Sequence, residues 1–303
     1  MSATLCDVRV EVRPPWPFRL TRRSGMDGLT QVRGGVLQRL VHERLDDAQV
    51  PVHLRVAQLS SGHVLIGARA AGREPAARAI LRMRRALGVD LDLREFHRRF
   101  ARDPMIGAAM RANPALRPPG RPDPFEALAW AVTEQLIEYE RAAAIQRRLV
   151  AALGRRDRES GLRDSPSAAV LAGQAPARLA SLDLAPARAL TLIRIAREVS
   201  AGRVDLASAD EAEQECGWRR LRAIAGVGAW TLEVLALTGQ GRLDRIPAGD
   251  LGLLKFAGRW LSDGDPSARA EEGQVRALFE RFGRWQGLAA SYVLHAGGWP
   301  RFG

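Results

Sequence analysis

In the run Leu221-Arg-Ala-Ile-Ala-Gly226-Val-Gly228-Ala-Trp230-Thr231, two glycines stand one residue apart between helix-forming stretches. A Gly-Val-Gly turn without side chains lets backbone N–H groups approach a phosphate closely. A helix starting at the turn adds its free N–H groups and positive dipole end. Thr231 offers a hydroxyl beside them. Further on, Pro247-Ala-Gly-Asp250 leads into Leu251-Gly-Leu-Leu-Lys255 and sets one carboxylate at the start of another helix. A lone carboxylate next to a bound phosphodiester suits stabilisation of positive charge developing on a sugar. Each feature also has a plain structural use. Gly-x-Gly serves many tight turns between packed helices, and aspartate is a favoured helix N-cap. The cap and the chemical role are compatible.

The elements that must hold these residues can be read from periodicity. Asp123-Pro124-Phe125-Glu126 is a helix start, with Asp at N-cap, Pro at the first helical position and Glu at N3 reaching back. Phe125, Leu128, Ala129, Val132 and Leu136 then share one face. Further helices are expected near 139–153, 187–200, 209–224, 229–238, 250–261, 271–282 and 286–296. Upstream, Val8, Val10 and Val12 alternate with charged residues, as do Val52, Leu54 and Val56, the pattern of half-buried strands. More strands are expected near 30–42 and 63–69, and a helix over 74–87. Arg117-Pro-Pro-Gly-Arg-Pro122 interrupts both kinds of element. The expected architecture is therefore α+β: an antiparallel β-sheet module with one or two helices over residues 1–118, then an all-helical domain over 119–303 with the hairpin at about 218–238.

Bulk properties set the limits. At 46% hydrophobic and 26% charged, the composition is that of a globular protein. The net charge of +12 favours a polyanionic partner. That charge is uneven: residues 1–118 hold 21 arginines and 11 acids, the remainder 25 bases and 23 acids. Cys6 and Cys216 are too few for a disulfide framework or an all-cysteine metal site. No apolar run approaches a membrane span, and no signal peptide is expected, so a cytoplasmic, nucleoid-associated monomer is the expectation. Of the 46 basic residues, Lys255 is the single lysine, so very few amines are available to form a Schiff base.

Ile224-Ala-Gly-Val-Gly-Ala-Trp-Thr231, Pro247-Ala-Gly-Asp250 and Phe125-Glu-Ala-Leu-Ala-Trp-Ala-Val-Thr-Glu-Gln135-Leu136-Ile together resemble the AlkA-type DNA-3-methyladenine glycosylases of the helix-hairpin-helix superfamily. Leu184-Ala-Pro-Ala-Arg-Ala-Leu190 and Arg13-Pro-Pro-Trp16 extend the likeness over nearly the whole chain. The resemblance implies excision of alkylated purines of the 3-methyladenine and 7-methylguanine type from duplex DNA, in base excision repair. It makes Asp250 the catalytic acid and Leu136 the wedge that fills the gap left by an extruded base. Trp230 would stack on that base, and Gly226, Gly228 and Thr231 would hold DNA phosphate. A structural Na+ or K+ is implied at the hairpin, on the backbone carbonyls of Arg222, Ile224 and Val227. No cofactor is required, and no iron–sulfur cluster is expected.

Members that also nick DNA carry a lysine where this chain has Trp230. An indole cannot attack the sugar, so a monofunctional enzyme is implied. Lys255 reads as a phosphate contact or a solvated side chain, and Trp16 or Phe18 as a further pocket contributor or a core aromatic. The chain departs from the family at Val234, where a tyrosine is usual, and at Gly297, where a tryptophan is. Both would line the base pocket and make it roomier and less aromatic, which leaves oxidised or bulkier purines open. A non-catalytic protein that recognises damaged DNA would share the hairpin without needing Asp250.

Overall fold

The computed structural model describes residues 5–45 and 48–296. Strands β1 (Leu5–Val12), β2 (Thr30–Arg33), β3 (Val36–Leu45), β4 (Ala48–Gln58) and β5 (Val64–Ala71) form one antiparallel sheet in the order β1-β5-β4-β3-β2. Alternation along the strands buries one face: Val52, Leu54 and Val56 of β4 join Ile66, Ala68 and Ala70 of β5. Helix α1 (Arg73–Leu87) covers that face with Ala76, Ala79, Ile80 and Met83.

Two short helices follow, α2 (Arg94–Phe100) and α3 (Gly107–Ala112). Their one or two turns are too brief for a 3.6-residue period to register in the sequence. Phe96, Phe100, Ile106 and Met110 pack in one core with Leu253, Phe279, Leu288 and Tyr292 from the end of the chain. By core membership the sheet module therefore closes near Val89. The proline-rich stretch 117–122 joins two parts of the helical body, which moves the expected boundary at residue 118 upstream.

The helical body continues with α4 (Pro124–Glu134), α5 (Tyr139–Leu153), the short α6 (Ala168–Ala172) and α7 (Pro176–Ala180), α8 (Pro186–Ser200), α9 (Glu211–Arg222) and α10 (Ala229–Val234). A π-helical turn over Leu235–Gly239 comes next, then α11 (Leu251–Leu261), α12 (Glu272–Glu280) and α13 (Gln286–Ala296). Phe125, Leu128 and Val132 of α4 share a second core with Ile145, Leu149, Leu192, Leu221 and Leu232. Among the described residues no helix is long and apolar enough to cross a membrane.

The start of α4 differs from expectation in one respect. Asp123 caps the helix by accepting from the Phe125 N–H at 2.9 Å. Glu126 does not reach back to complete a capping box. It is 2% exposed and pairs with Arg39 of β3 and with Arg121 at 2.8 Å. Asp27 joins the cluster through Arg121 at 3.3 Å. These buried charges tie the sheet module to α4, and two guanidinium partners hold Glu126 more strongly than one backbone N–H can.

Candidate active site

The hairpin forms where the glycines require it. Helix α9 ends at Arg222, the Ile224 N–H bonds to the Leu221 carbonyl, and the Val227 N–H bonds to the Ile224 carbonyl at 3.0 Å. Gly226 has φ of +89°, and a Cβ there would collide with Thr191 of α8. Thr191 in turn donates its hydroxyl to the Ala225 carbonyl at 2.8 Å and braces the turn from behind. Gly228 is different. Its φ of −98° suits any residue, and a Cβ there would meet nothing within 4 Å. The fold does not need a glycine at 228, so its missing side chain leaves the outer surface bare.

Asp250 is the N-cap of α11. One carboxylate oxygen accepts the Gly252 N–H at 2.7 Å and the Leu253 N–H at 3.3 Å. The Trp230 side chain also hydrogen-bonds to it, and this links the carboxylate to the first turn beyond the hairpin. Burial pushes the carboxyl above its ordinary value, while these three donors favour the ionised form. Asp250 is half-buried. Gly252 is needed for the approach, since a Cβ there would stand 3.0 Å from the Asp250 oxygen and 2.7 Å from Leu294. From the other side, half-buried Glu233 of α10 accepts the Ala248 N–H and pairs with Arg276 of α12 at 2.7 Å. The Pro247–Asp250 turn is thus held by α10, α11 and α12 together.

Leu136 is 100% exposed and left-handed, with φ of +55°. The apolar face of α4 ends before it, contrary to a core assignment from periodicity. A bulky residue in that region is strained and persists because its neighbours hold it. Gln135 does so: its amide donates to the Gly226 carbonyl and to the Thr231 hydroxyl, both at 2.9 Å. Thr231 is 1% exposed and its oxygen accepts from Gln135, so the side chain couples the hairpin to the Leu136 loop from a buried position and not as a surface hydroxyl.

Between the sheet module and the helices lies a cavity of about 840 Å³. Phe18, Arg121, Trp130, Glu134, Tyr139 and Val234 line it. Phe18 therefore reaches the cavity from the N-terminal module, and Val234 forms part of its wall. Trp16 packs instead on His97 and donates to the Pro114 carbonyl at 2.7 Å, a structural role. Lys255 is exposed on α11. Gly297 lies outside the described residues. Asp250 stands beside the cavity: Pro247 lines it, and the Asp250 charge acts on the lining residue Glu134.

Sequence reading missed Glu134 and Trp130 as site residues. Trp130 is 2% exposed, stacks on Tyr139 with ring centroids 5.6 Å apart, and carries Arg121 4.1 Å above its ring. Its buried indole N–H has no partner among the described residues. The available signal was a polar Glu-Gln pair ending an otherwise apolar helix.

No model of a known protein family matches the sequence. A probable bifunctional transcriptional activator/DNA repair enzyme AlkA of Mycobacterium tuberculosis is 31% identical over 302 residues, 94% of this chain and 55% of its own length. A DNA-3-methyladenine glycosylase of Bacillus subtilis is 27% identical over 168 residues, 55% of each chain. The chain thus spans about half the length of these relatives. The solved 3-methyladenine DNA glycosylase of Archaeoglobus fulgidus superposes with a TM-score of 0.77 at 20% identity, over 96% of this chain and 98% of that one. Over 94% of its length the chain is similar in sequence to that AlkA, and its sheet-plus-helices α+β fold is that of the solved Archaeoglobus fulgidus glycosylase.

Proposed function

We propose that this protein is a monofunctional DNA N-glycosylase that extrudes alkylated purines from duplex DNA and hydrolyses their bond to deoxyribose. The observation that carries the reading is the position of Asp250, half-buried and tied by Trp230 to the helix leaving a glycine hairpin. Gly226 and the bare Gly228 grip a phosphate through backbone N–H groups, which fixes the register of the duplex without reading its sequence. Leu136, exposed and held rigid by Gln135, enters the stack as the base leaves. The base then occupies the cavity against Val234. A cationic 3-methyladenine or 7-methylguanine also gains from the aromatic faces of that cavity.

As the N-glycosidic bond lengthens, positive charge spreads over the sugar and the Asp250 carboxylate stabilises it. Water then adds to C1′. No lysine stands at the hairpin to form a Schiff base; position 230 is tryptophan, engaged with Asp250. The product is an intact strand with an abasic site. Three neutral carbonyls in one turn, those of Arg222, Ile224 and Val227, suit a hard monovalent cation, and the Ile224 oxygen keeps a lone pair after accepting from Val227. Bound there, Na+ or K+ would add positive charge beside the phosphate.

Val234 in place of a bulky aromatic, in a cavity of about 840 Å³, favours a second reading in which larger or oxidised purines are accepted. Purified protein incubated with methylated duplex, and separately with 8-oxoguanine duplex, separates the readings when free base and alkali-labile sites are assayed. Release of methylated purine supports the proposal. Tight binding without release from either duplex would leave a damage-recognition protein instead.

Two variants test the DNA-facing parts. Leu136→Ala should leave the melting temperature unchanged, because the side chain buries nothing in the free protein. Its excision rate should fall by roughly 10- to 100-fold, the equivalent of losing about 1.5–3 kcal/mol of leucine burial in the duplex. Gly228→Val has room on the protein side and should cost at most about 1 kcal/mol of stability. It should weaken duplex binding on the order of 10-fold in a salt-titrated anisotropy assay, and wild-type affinity would remove Gly228 from the interface.

A further inference from the structure

We infer that Glu134 is a general acid that extends the reaction to neutral damaged purines by protonating the departing base; this rests on the glycosylase reading above. Alkylated purines already carry positive charge and leave without help. A neutral purine such as hypoxanthine leaves as a poor anion unless a ring nitrogen is protonated as the bond breaks. A site that performs both tasks needs two carboxyl groups in different protonation states.

The structure holds such a pair. Glu134 is the last residue of α4, directly before Gln135 and the exposed Leu136, and it lines the cavity where an extruded base would sit. Its carboxyl has no hydrogen-bond or ion-pair partner among the described residues, unusual for a half-buried acid. The charged groups facing it come from three elements. Asp250, before α11, opposes its ionisation, and Arg121, on the connector to α4, favours it. Tyr139 of α5 is the third group that feels its charge. Arg121 is already committed to Glu126 at 2.8 Å and Asp27 at 3.3 Å. Burial therefore prevails and pushes Glu134 up to about 7, so it holds its proton near neutrality. Asp250, with three hydrogen-bond donors, is the member suited to stay ionised. Trp130 adds a buried, unpartnered N–H to the same wall, a fixed donor for an acceptor on the base edge.

In the proposed step the Glu134 proton passes to a ring nitrogen of the purine as the C1′–N9 bond breaks. The bonding pair leaves with the base, which departs neutral. Water adds its oxygen to C1′ and gives its proton to the Asp250 carboxylate. Solvent then returns a proton to Glu134 and removes one from Asp250. No oxidant or further reactant is required.

The test is single-turnover release of hypoxanthine and of 7-methylguanine from otherwise identical duplexes, from about pH 5.5 to about 8.5, by the wild type, Glu134→Gln and Glu134→Asp. In the wild type, hypoxanthine release should fall tenfold per pH unit above about 7, while 7-methylguanine release should not follow that limb. Glu134→Gln should lose roughly 10²- to 10⁴-fold on hypoxanthine together with the limb. Its loss on 7-methylguanine should be smaller than on hypoxanthine and should carry no change in pH dependence, and Glu134→Asp should recover part of the lost hypoxanthine rate. Equal losses on both duplexes would mean a structural role and overturn the assignment. So would a Glu134→Gln enzyme with unchanged hypoxanthine release, or a wild type active on 7-methylguanine alone. A wild type that releases neither base fails earlier, with the glycosylase reading itself.

Discussion

Asp250→Asn should release methylated purines on the order of 10³-fold more slowly than the wild type, a loss of about 4 kcal/mol in transition-state stabilisation. It should still bind duplex DNA with nearly unchanged affinity. The amide is the same size and its oxygen can still accept the Gly252 and Leu253 N–H groups, so the cap of α11 survives. Its negative charge is gone, and that charge acts on the transition state but hardly on the ground state. The Trp230 bond to the side chain tests the geometry further. Trp230→Phe keeps an aromatic ring but frees the carboxylate, and should slow base release less than Asp250→Asn does. Single-turnover rates with free-base detection, beside anisotropy titrations on an abasic duplex, measure both quantities. Undiminished excision by Asp250→Asn would refute the assignment of that residue.

How much of this was legible in the chain depends on the range of the interaction. The alternation of Val8, Val10 and Val12 and of Val52, Leu54 and Val56 reports burial on one strand face, and strands β1 and β4 follow. Gly226 and Asp250 announce themselves because each satisfies a local backbone demand, a positive φ in one case and a helix cap in the other. Leu136 was named as a wedge through the family resemblance, whereas periodicity alone runs it into the apolar face of α4, because the left-handed turn of the chain there leaves no periodic signal. Thr231 read as a surface hydroxyl because nothing nearby in sequence reveals that Gln135 covers it. Glu126 read as half of a capping box because the competing partner, Arg39, lies 87 positions away on a strand. The cavity wall has the same character. Phe18, Trp130 and Val234 meet only because the sheet module docks on α4.

That docking yields the second large effect. Glu126→Gln should destabilise the protein by about 3–5 kcal/mol, seen as a lower urea midpoint. Glu126 is 2% exposed and Arg39 4%, so neither charge can turn to water when its partner is neutralised. Asp27 remains, but its ion pair is with Arg121, at 3.3 Å, and it already accepts the Leu29 N–H. The substitution thus leaves buried positive charge in excess of negative charge, and the cost is that of an unpaired ion more than of a lost hydrogen bond. Replacing Arg39 and Glu126 together by methionine and leucine should recover most of the loss, since a well-packed apolar pair often matches a buried ion pair. The double variant should therefore melt closer to the wild type than to Glu126→Gln. It should also keep base release, because Arg121 retains Asp27 and its place over Trp130 at 4.1 Å. If the double variant were as unstable as the single one, packing against β3 rather than charge pairing would hold the sheet module on α4.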